Sequence, residues 1–273
     1  MKTDYASEVA EGRRFEFGKN WAKFLRELDE TRITEAVDSL RDMLEVEDLE
    51  GRSFLDIGCG SGLFSLAARR LGAAVLSFDF DAESVACTRE IKRRYSADDQ
   101  LWTIASGSAL DDAYVKGLDE FDVVYSWGVL HHTGAMWHAL ENALVPCKRG
   151  GLFFIAIYND QGAASQVWKT IKHVYNVLPS PGKFVLVLGV AAYFKLGRAV
   201  KRVIQLQNPF GKRDPGRGMS WYRDVVDWVG GYPFEVARPE QIFDFCRARG
   251  FSLTRLKTTR AHGCNEFVFR RDT

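Results

Sequence analysis

The chain has 273 residues, 46% of them hydrophobic, and its 37 Lys and Arg against 36 Asp and Glu leave a formal net charge of +1. This is a globular composition, long enough for one large domain or a domain with an added lid, and no global charge draws it to nucleic acid or membrane. Cys59, Cys87, Cys147, Cys246 and Cys264 are odd in number and lack C-x-x-C spacing, and residues 1–20 show no secretory apolar segment; the expectation is a reduced, cytoplasmic protein without disulfides or a metal site.

Ahead of the first strand, Trp21, Phe24, Leu25 and Leu28 recur at helical spacing. They predict a helix that either packs on a sheet or forms a lid carrying Phe17, Lys19 or Trp21 over a ligand. Residues 27–50 are rich in acids and read as a solvated helical face. Next comes Phe54-Leu-Asp-Ile-Gly-Cys-Gly-Ser-Gly-Leu-Phe64, a short buried strand running into a glycine loop and a helix. Gly58, Gly60 and Gly62 let the backbone turn sharply and approach a ligand closely, because no Cβ intervenes. A dinucleotide loop of the form G-x-G-x-x-G would need glycine at Leu63 or Ser65, and no Lys-Ser/Thr pair marks a P-loop. An NAD-dependent enzyme is therefore disfavoured.

The pattern from Asp56 through Gly58, Gly60 and Gly62 resembles motif I of the class I S-adenosylmethionine-dependent methyltransferases. The resemblance implies a doubly wound, Rossmann-like α/β fold of seven strands with the last antiparallel, and S-adenosylmethionine as cofactor. Asp56 then suits a cofactor carrying an ammonium group, and Cys59 is a small filler in the loop.

Strand two is predicted over 74–80, ending at Asp79, where a carboxylate is placed to accept hydrogen bonds from ribose hydroxyls. Phe80 follows it in the expected cofactor set. Asp81, two residues on, is the rival for the ribose, but is expected to N-cap a helix over 82–94. Strand three is predicted over 101–105. Many family members carry an Asp at the position of Ser108 to bind adenine; here Ser108 and Ala109 take that place, or Asp111 reaches back. Strand four, 121–126, runs into Trp127-Gly-Val-Leu-His-His-Thr133. In the family its end borders both cofactor and substrate, so Trp127 is expected over the sulfonium side. His131 is the favoured general base, with His132 beside it as a second candidate or a helix-start residue. A helix over 136–145, a glycine turn at Arg149-Gly-Gly151 and strand five over 152–158 complete the alternation of a parallel α/β sheet.

Residues 161–235 interrupt the fold, where the family often inserts substrate-recognition elements. A helix over 168–178 stops at Pro179-Ser-Pro181. The apolar run 184–194 is too short to span a bilayer; it is expected to roof the active site, while an apolar helix leading into basic residues over 184–213 also suits the surface of the inner membrane face. Tyr222, Arg223 and Asp224, within an aromatic block flanked by glycines, are the candidate substrate contacts. Asp227 and His262 join Tyr222 and Asp224 as alternative proton acceptors. A helix over 239–249 and strands over 251–257 and 266–270 return to the core. The domain boundaries expected are 1–50 for the N-terminal extension, 51–160 for the cofactor core, 161–235 for the insertion and 236–273 for its completion.

With Asp79 and Leu130-His-His132 added to motif I, the chain is similar to the group that includes the ubiquinone-pathway O-methyltransferases. In that group the strand-four region carries an acid that assists metal binding, which is missing here. The resemblance implies methyl transfer to a hydroxyl of a small-molecule, sugar or lipid-linked acceptor. A tRNA methyltransferase using the basic insertion as a phosphate track, and a non-catalytic cofactor-binding partner subunit, are the alternatives.

Overall fold

A computed structural model describes residues 5–26, 28–204, 221–259 and 263–273. The chain divides into two compact units, one of Glu16–Ser165 with Pro233–Thr273 and the other of Met1–Phe15 with Gln166–Tyr232. This partition differs from the expected one: the residues up to Phe15 group with the inserted segment, while the following helices group with the sheet.

The larger unit is built on β1 (Ser53–Ile57), β2 (Ala74–Asp79), β3 (Trp102–Ser106), β4 (Phe121–Trp127), β5 (Cys147–Tyr158), β6 (Phe251–Lys257) and β7 (Cys264–Arg271). They form one sheet in the order β3-β2-β1-β4-β5-β7-β6. The first five are parallel, and β7 runs antiparallel to both β5 and β6. Successive side chains leave a strand on opposite faces. Phe54, Val75, Val123 and Phe154 thus pack on one face, while Leu55, Ile57, Val124, Phe153 and Ile155 pack on the other. Each fully buried Leu or Phe contributes about 1.5–3 kcal/mol.

Helices cover both faces. On the first lie α2 (Phe17–Phe24), α3 (Glu30–Leu44), α4 (Leu63–Arg70) and α5 (Ala82–Tyr95). The acid-rich stretch is α3, started by Asp29, whose carboxylate accepts the Arg32 amide at 3.0 Å. Ile33, Ala36, Leu40, Met43 and Leu44 form its buried stripe. On the second face lie α6 (Asp112–Lys116), α7 (Met136–Leu144) and α11 (Pro239–Arg247).

Strand five begins earlier than predicted. Arg149-Gly-Gly151 is a bulge inside β5, with Gly150 at φ 72° and the register to β4 shifting between Phe121 and Val123. A left-handed glycine lets the strand bend and continue, where the sequence pattern suggested a turn.

The smaller unit holds α1 (Tyr5–Ala10), most of α8 (Ala163–Val177), α9 (Ser180–Ile204) and α10 (Trp221–Gly230). Pro181 sits in the first turn of α9, where its missing N–H costs nothing. The Trp168 indole stacks on Phe194 with centroids 5.7 Å apart and meets the Trp228 ring edge-on at 5.5 Å. Buried Lys172 donates to the Trp228 carbonyl, with its ammonium 4.3 Å from the centre of that ring. Phe15 closes the unit, donating its amide to the Tyr232 carbonyl at 2.9 Å.

Candidate cofactor and catalytic site

The C-terminal ends of β1, β2, β3 and β4 meet along one edge of the sheet. Chain connections run from β1 outward through β2 to β3, then return to β4 on the other side of β1. Such a reversal opens a crevice beyond the strand ends, where doubly wound folds hold their ligands.

The glycine loop fills the head of that crevice. Gly58, Gly60 and Gly62 have φ of 77°, 53° and 86°, the left-handed region that side chains disfavour. Sterics add a second reason. A Cβ on Gly58 would stand 2.3 Å from Val129 Cγ1, and one on Gly62 would stand 2.8 Å from Thr88 Cγ2. The loop is tied down from β2: the amides of Gly58 and Cys59 donate to the Phe78 carbonyl at 2.8 and 3.1 Å. Asp79, at the end of β2, accepts the Gly60 amide on Oδ2 and the Asp81 amide on Oδ1, each at 2.9 Å. Burial raises its carboxyl to about 6, against the pull of those amides.

Helix α2 lies over this loop. The Gly18 amide donates to Asp81 Oδ2 at 2.8 Å, and the Trp21 indole nitrogen stands 3.1 Å from where a Gly60 Cβ would be. The Phe17 ring is 5.0 Å from that of His132. Asp81 also caps α5 by accepting the Glu83 amide at 3.0 Å.

Beyond β4, Leu130–His132 forms a single 3₁₀ turn that buries both histidines. His131 Nδ1 accepts the Tyr158 amide at 3.4 Å, the His131 carbonyl accepts the Glu235 amide at 3.0 Å, and its ring lies 4.0 Å from that of Tyr158. His132 Nδ1 lies 2.6 Å from the Pro233 carbonyl oxygen. A carbonyl only accepts, so Nδ1 carries the proton and Nε2 is the basic nitrogen of the neutral ring.

Residues 55–153 match the family described as "Methyltransferase domain". The ubiquinone biosynthesis O-methyltransferase of Brucella ovis is 34% identical over 122 residues, which are 44% of this chain and 46% of that protein. That of Methylobacterium nodulans is 30% identical over 142 residues, 50% of this chain and 55% of the other. The chain thus spans about half the length of the curated relatives it matches. Among solved structures, the magnesium protoporphyrin IX methyltransferase of Synechocystis PCC 6803 with bound SAM shares the fold at a TM-score of 0.53 and 14% identity, covering 89% of this chain and 81% of the other. A putative S-adenosylmethionine dependent methyltransferase from Listeria monocytogenes does so at 0.53 and 12%, covering 87% and 98%.

Residues 55–153 are a methyltransferase domain.

Within this domain the structure brings Gly58, Cys59, Gly60, Gly62, Asp79 and Phe80 to the strand-end crevice, with Trp127, partly buried, at the last position of β4. Cys59 is buried and accepts a hydrogen bond from Thr88 Oγ1 at 3.2 Å. Burial and the charges of Asp79 and Asp56 raise its thiol pKa well above the usual value, so it stays a neutral filler. Ser108 and Ala109 follow β3. The Ser108 hydroxyl accepts the Leu110 amide at 3.2 Å, and the Ala109 carbonyl accepts from Asn142 Nδ2 at 2.9 Å.

Two expectations need correction. Asp111 N-caps α6 by accepting the Tyr114 amide at 3.1 Å, so its carboxylate is turned to the helix start rather than back to the crevice. Asp56 is 2% exposed and lies beneath the loop, where it accepts from Ser65 Oγ at 2.5 Å. Burial lifts its carboxyl to about 7. It is not an open carboxylate facing an ammonium group. The Ser65 hydroxyl continues to Ser77 Oγ at 2.7 Å, which accepts from Trp102 Nε1 at 2.9 Å, making a buried polar chain from β1 to β3 that sequence pattern did not disclose.

Tyr158, Pro233, Phe234 and Glu235 were also missed. Tyr158 ends β5, the neighbour of β4, and adjacent strand ends in one sheet are the signal that could have found it. Tyr222, Arg223 and Asp224 fall in the first turn of α10, but their side chains lie outside the described residues, as does His262.

Proposed function

We propose that this methyltransferase moves a methyl group to a hydroxyl oxygen of a small-molecule, sugar or lipid-linked acceptor. The observation that carries the reading is the Nδ1 hydrogen bond of His132 to the Pro233 carbonyl, which leaves a basic nitrogen on the turn after β4. A hydroxyl becomes a competent nucleophile only as it loses its proton, and imidazole suits that transfer near neutral pH. The names of the curated relatives support oxygen as the acceptor atom.

S-adenosylmethionine, when bound, supplies a methyl group activated by its sulfonium. The residues of the crevice fit it. The three glycines let the loop that would hold it close tightly against Val129, Trp21 and Thr88. Ionised Asp79 keeps lone pairs for the ribose hydroxyls beyond the two amides that it holds. Phe80, Ser108 and Ala109 would hold the adenine, and Trp127 would cover the sulfonium. Asp56 acts from below, holding the loop through Ser65.

S-adenosylmethionine held there would supply its methyl group to the acceptor oxygen, and the hydroxyl proton would pass to His132 Nε2. His131, its Nδ1 committed to the Tyr158 amide, positions the turn. This reverses the order in which the sequence ranked the two histidines. Alignment of nucleophile and methyl group would supply the rest of the rate.

The test is incubation of the purified protein with isotopically labelled S-adenosylmethionine and a panel of phenols, catechols, sugars and prenylated phenols. Mass spectrometry locates the transferred methyl group. Methyl ethers are the expected products, and transfer to nitrogen or carbon alone would overturn the reading.

A further inference from the structure

Helix α9 is apolar on two sides. Its inner side is accounted for: Val187, Val190 and Ala191 are buried, and Phe194 stacks on Trp168. Its outer side is not. Phe184, Val185, Leu188, Tyr193 and Leu196 are 56%, 67%, 47%, 62% and 68% exposed. Gly189 and Ala192 lie exposed between them. Positions 184, 188, 192 and 196 repeat every four residues, and 185, 189 and 193 fill the row beside them, so the stripe is continuous. It runs for about 18 Å along the helix at 1.5 Å per residue. A surface helix normally turns polar residues outward, and an apolar exposed face of this length marks a contact surface.

The charges on the same helix indicate the partner. Ser180–Ile204 contains Lys183, Lys195, Arg198, Lys201 and Arg202 and not one acid. Among the described residues no helix is long and apolar enough to cross a membrane. An apolar face ending in a cationic segment complements a bilayer surface, with side chains in the acyl boundary and cations among anionic headgroups. A second copy of the chain fits less well, because pairing α9 with itself in either direction brings cations toward cations.

We propose that the outer face of α9 docks this methyltransferase on an anionic membrane surface, with Phe184, Leu188 and Leu196 inserted and exposed Lys195 at the headgroups. This surface does not depend on the identity of the acceptor atom.

The experiment is cosedimentation of the full chain with vesicles of phosphatidylcholine alone or mixed with phosphatidylglycerol, beside sedimentation velocity without lipid. Binding to the mixed vesicles should exceed that to the neutral ones by about tenfold or more and weaken with salt. Leu188→Glu with Leu196→Glu should reduce it by about tenfold or more, and Lys195→Glu should reduce the preference for phosphatidylglycerol. Both variants should keep wild-type affinity for S-adenosylhomocysteine, showing that the cofactor unit is intact. Absence of the wild type from both vesicle pellets would overturn the proposal, as would undiminished binding by the leucine variant. Self-association that the leucine variant abolishes, or retention of tRNA in place of vesicles, would assign the face to another partner.

Discussion

Asp79 holds Gly60: the carboxylate that ends the second strand accepts the amide of the central loop glycine at 2.9 Å. One residue thereby shapes the loop and, in the function proposed above, also offers its remaining lone pairs to the ribose. Asp79→Asn should weaken S-adenosylhomocysteine binding by about tenfold, a loss of about 1.4 kcal/mol, and Asp79→Ala by more, because the loop is released as well. In the wild type the affinity should fall as pH drops through about 6, where the raised carboxyl takes up a proton. Calorimetric titration across pH measures all three, and an Asp79→Ala protein of unchanged affinity would remove the ribose assignment.

His132 and His131 should separate kinetically. His132→Gln is expected to lower kcat by about 10²–10⁴ with cofactor affinity kept. His131→Gln leaves the proposed base in place but strips the acceptor from the Tyr158 amide, so thermal stability should fall before chemistry does. Full turnover by the His132 variant on an identified acceptor would place the base elsewhere.

The loop glycines tolerate little. Gly58→Ala adds a methyl group into Val129 at a φ of 77°, at a cost of about 1–3 kcal/mol. Combining it with Val129→Ala should restore part of the loss. Chemical denaturation of the two single variants and the double variant reads the coupling.

Lys172 imposes a pH-dependent cost on the smaller unit. Burial lowers its ammonium to about 7, opposed by the charge of Asp227. A base with a depressed folded pKa binds fewer protons folded than unfolded between about 7 and its ordinary value of 10.5. Stability therefore rises with pH across that window, by at most about 1.4 kcal/mol per unit, and the cost is complete below it. Lys172→Met should be more stable than wild type at pH 7, with the gap narrowing toward pH 10. A constant gap in thermal denaturation would show that the lysine does not deprotonate on folding.

Much of this architecture was readable from local pattern. Phe251–Lys257 stands where the alternation placed it, and Asp81 caps the helix it precedes. These features are decided within a few residues, by hydrophobic period and cap chemistry. The hydrogen bond of His132 to Pro233 joins residues 101 apart, and that of Trp102 to Ser77 joins residues 25 apart. No local period encodes such pairs, since they exist only after the strands have been ordered. The same reason explains Asp56: its spacing to the glycines is legible, whereas its depth beneath them follows from the sheet.

The strand order carries a consequence for biosynthesis. Residues 264–271 slot between two strands made before them, β5 on one side and β6 on the other. While those residues are still inside the ribosome, β6 has no neighbour in the sheet and β5 presents an open edge of backbone donors and acceptors. Unpaired edges invite intermolecular pairing, so the growing chain passes through an aggregation-prone interval that ends only when β7 emerges.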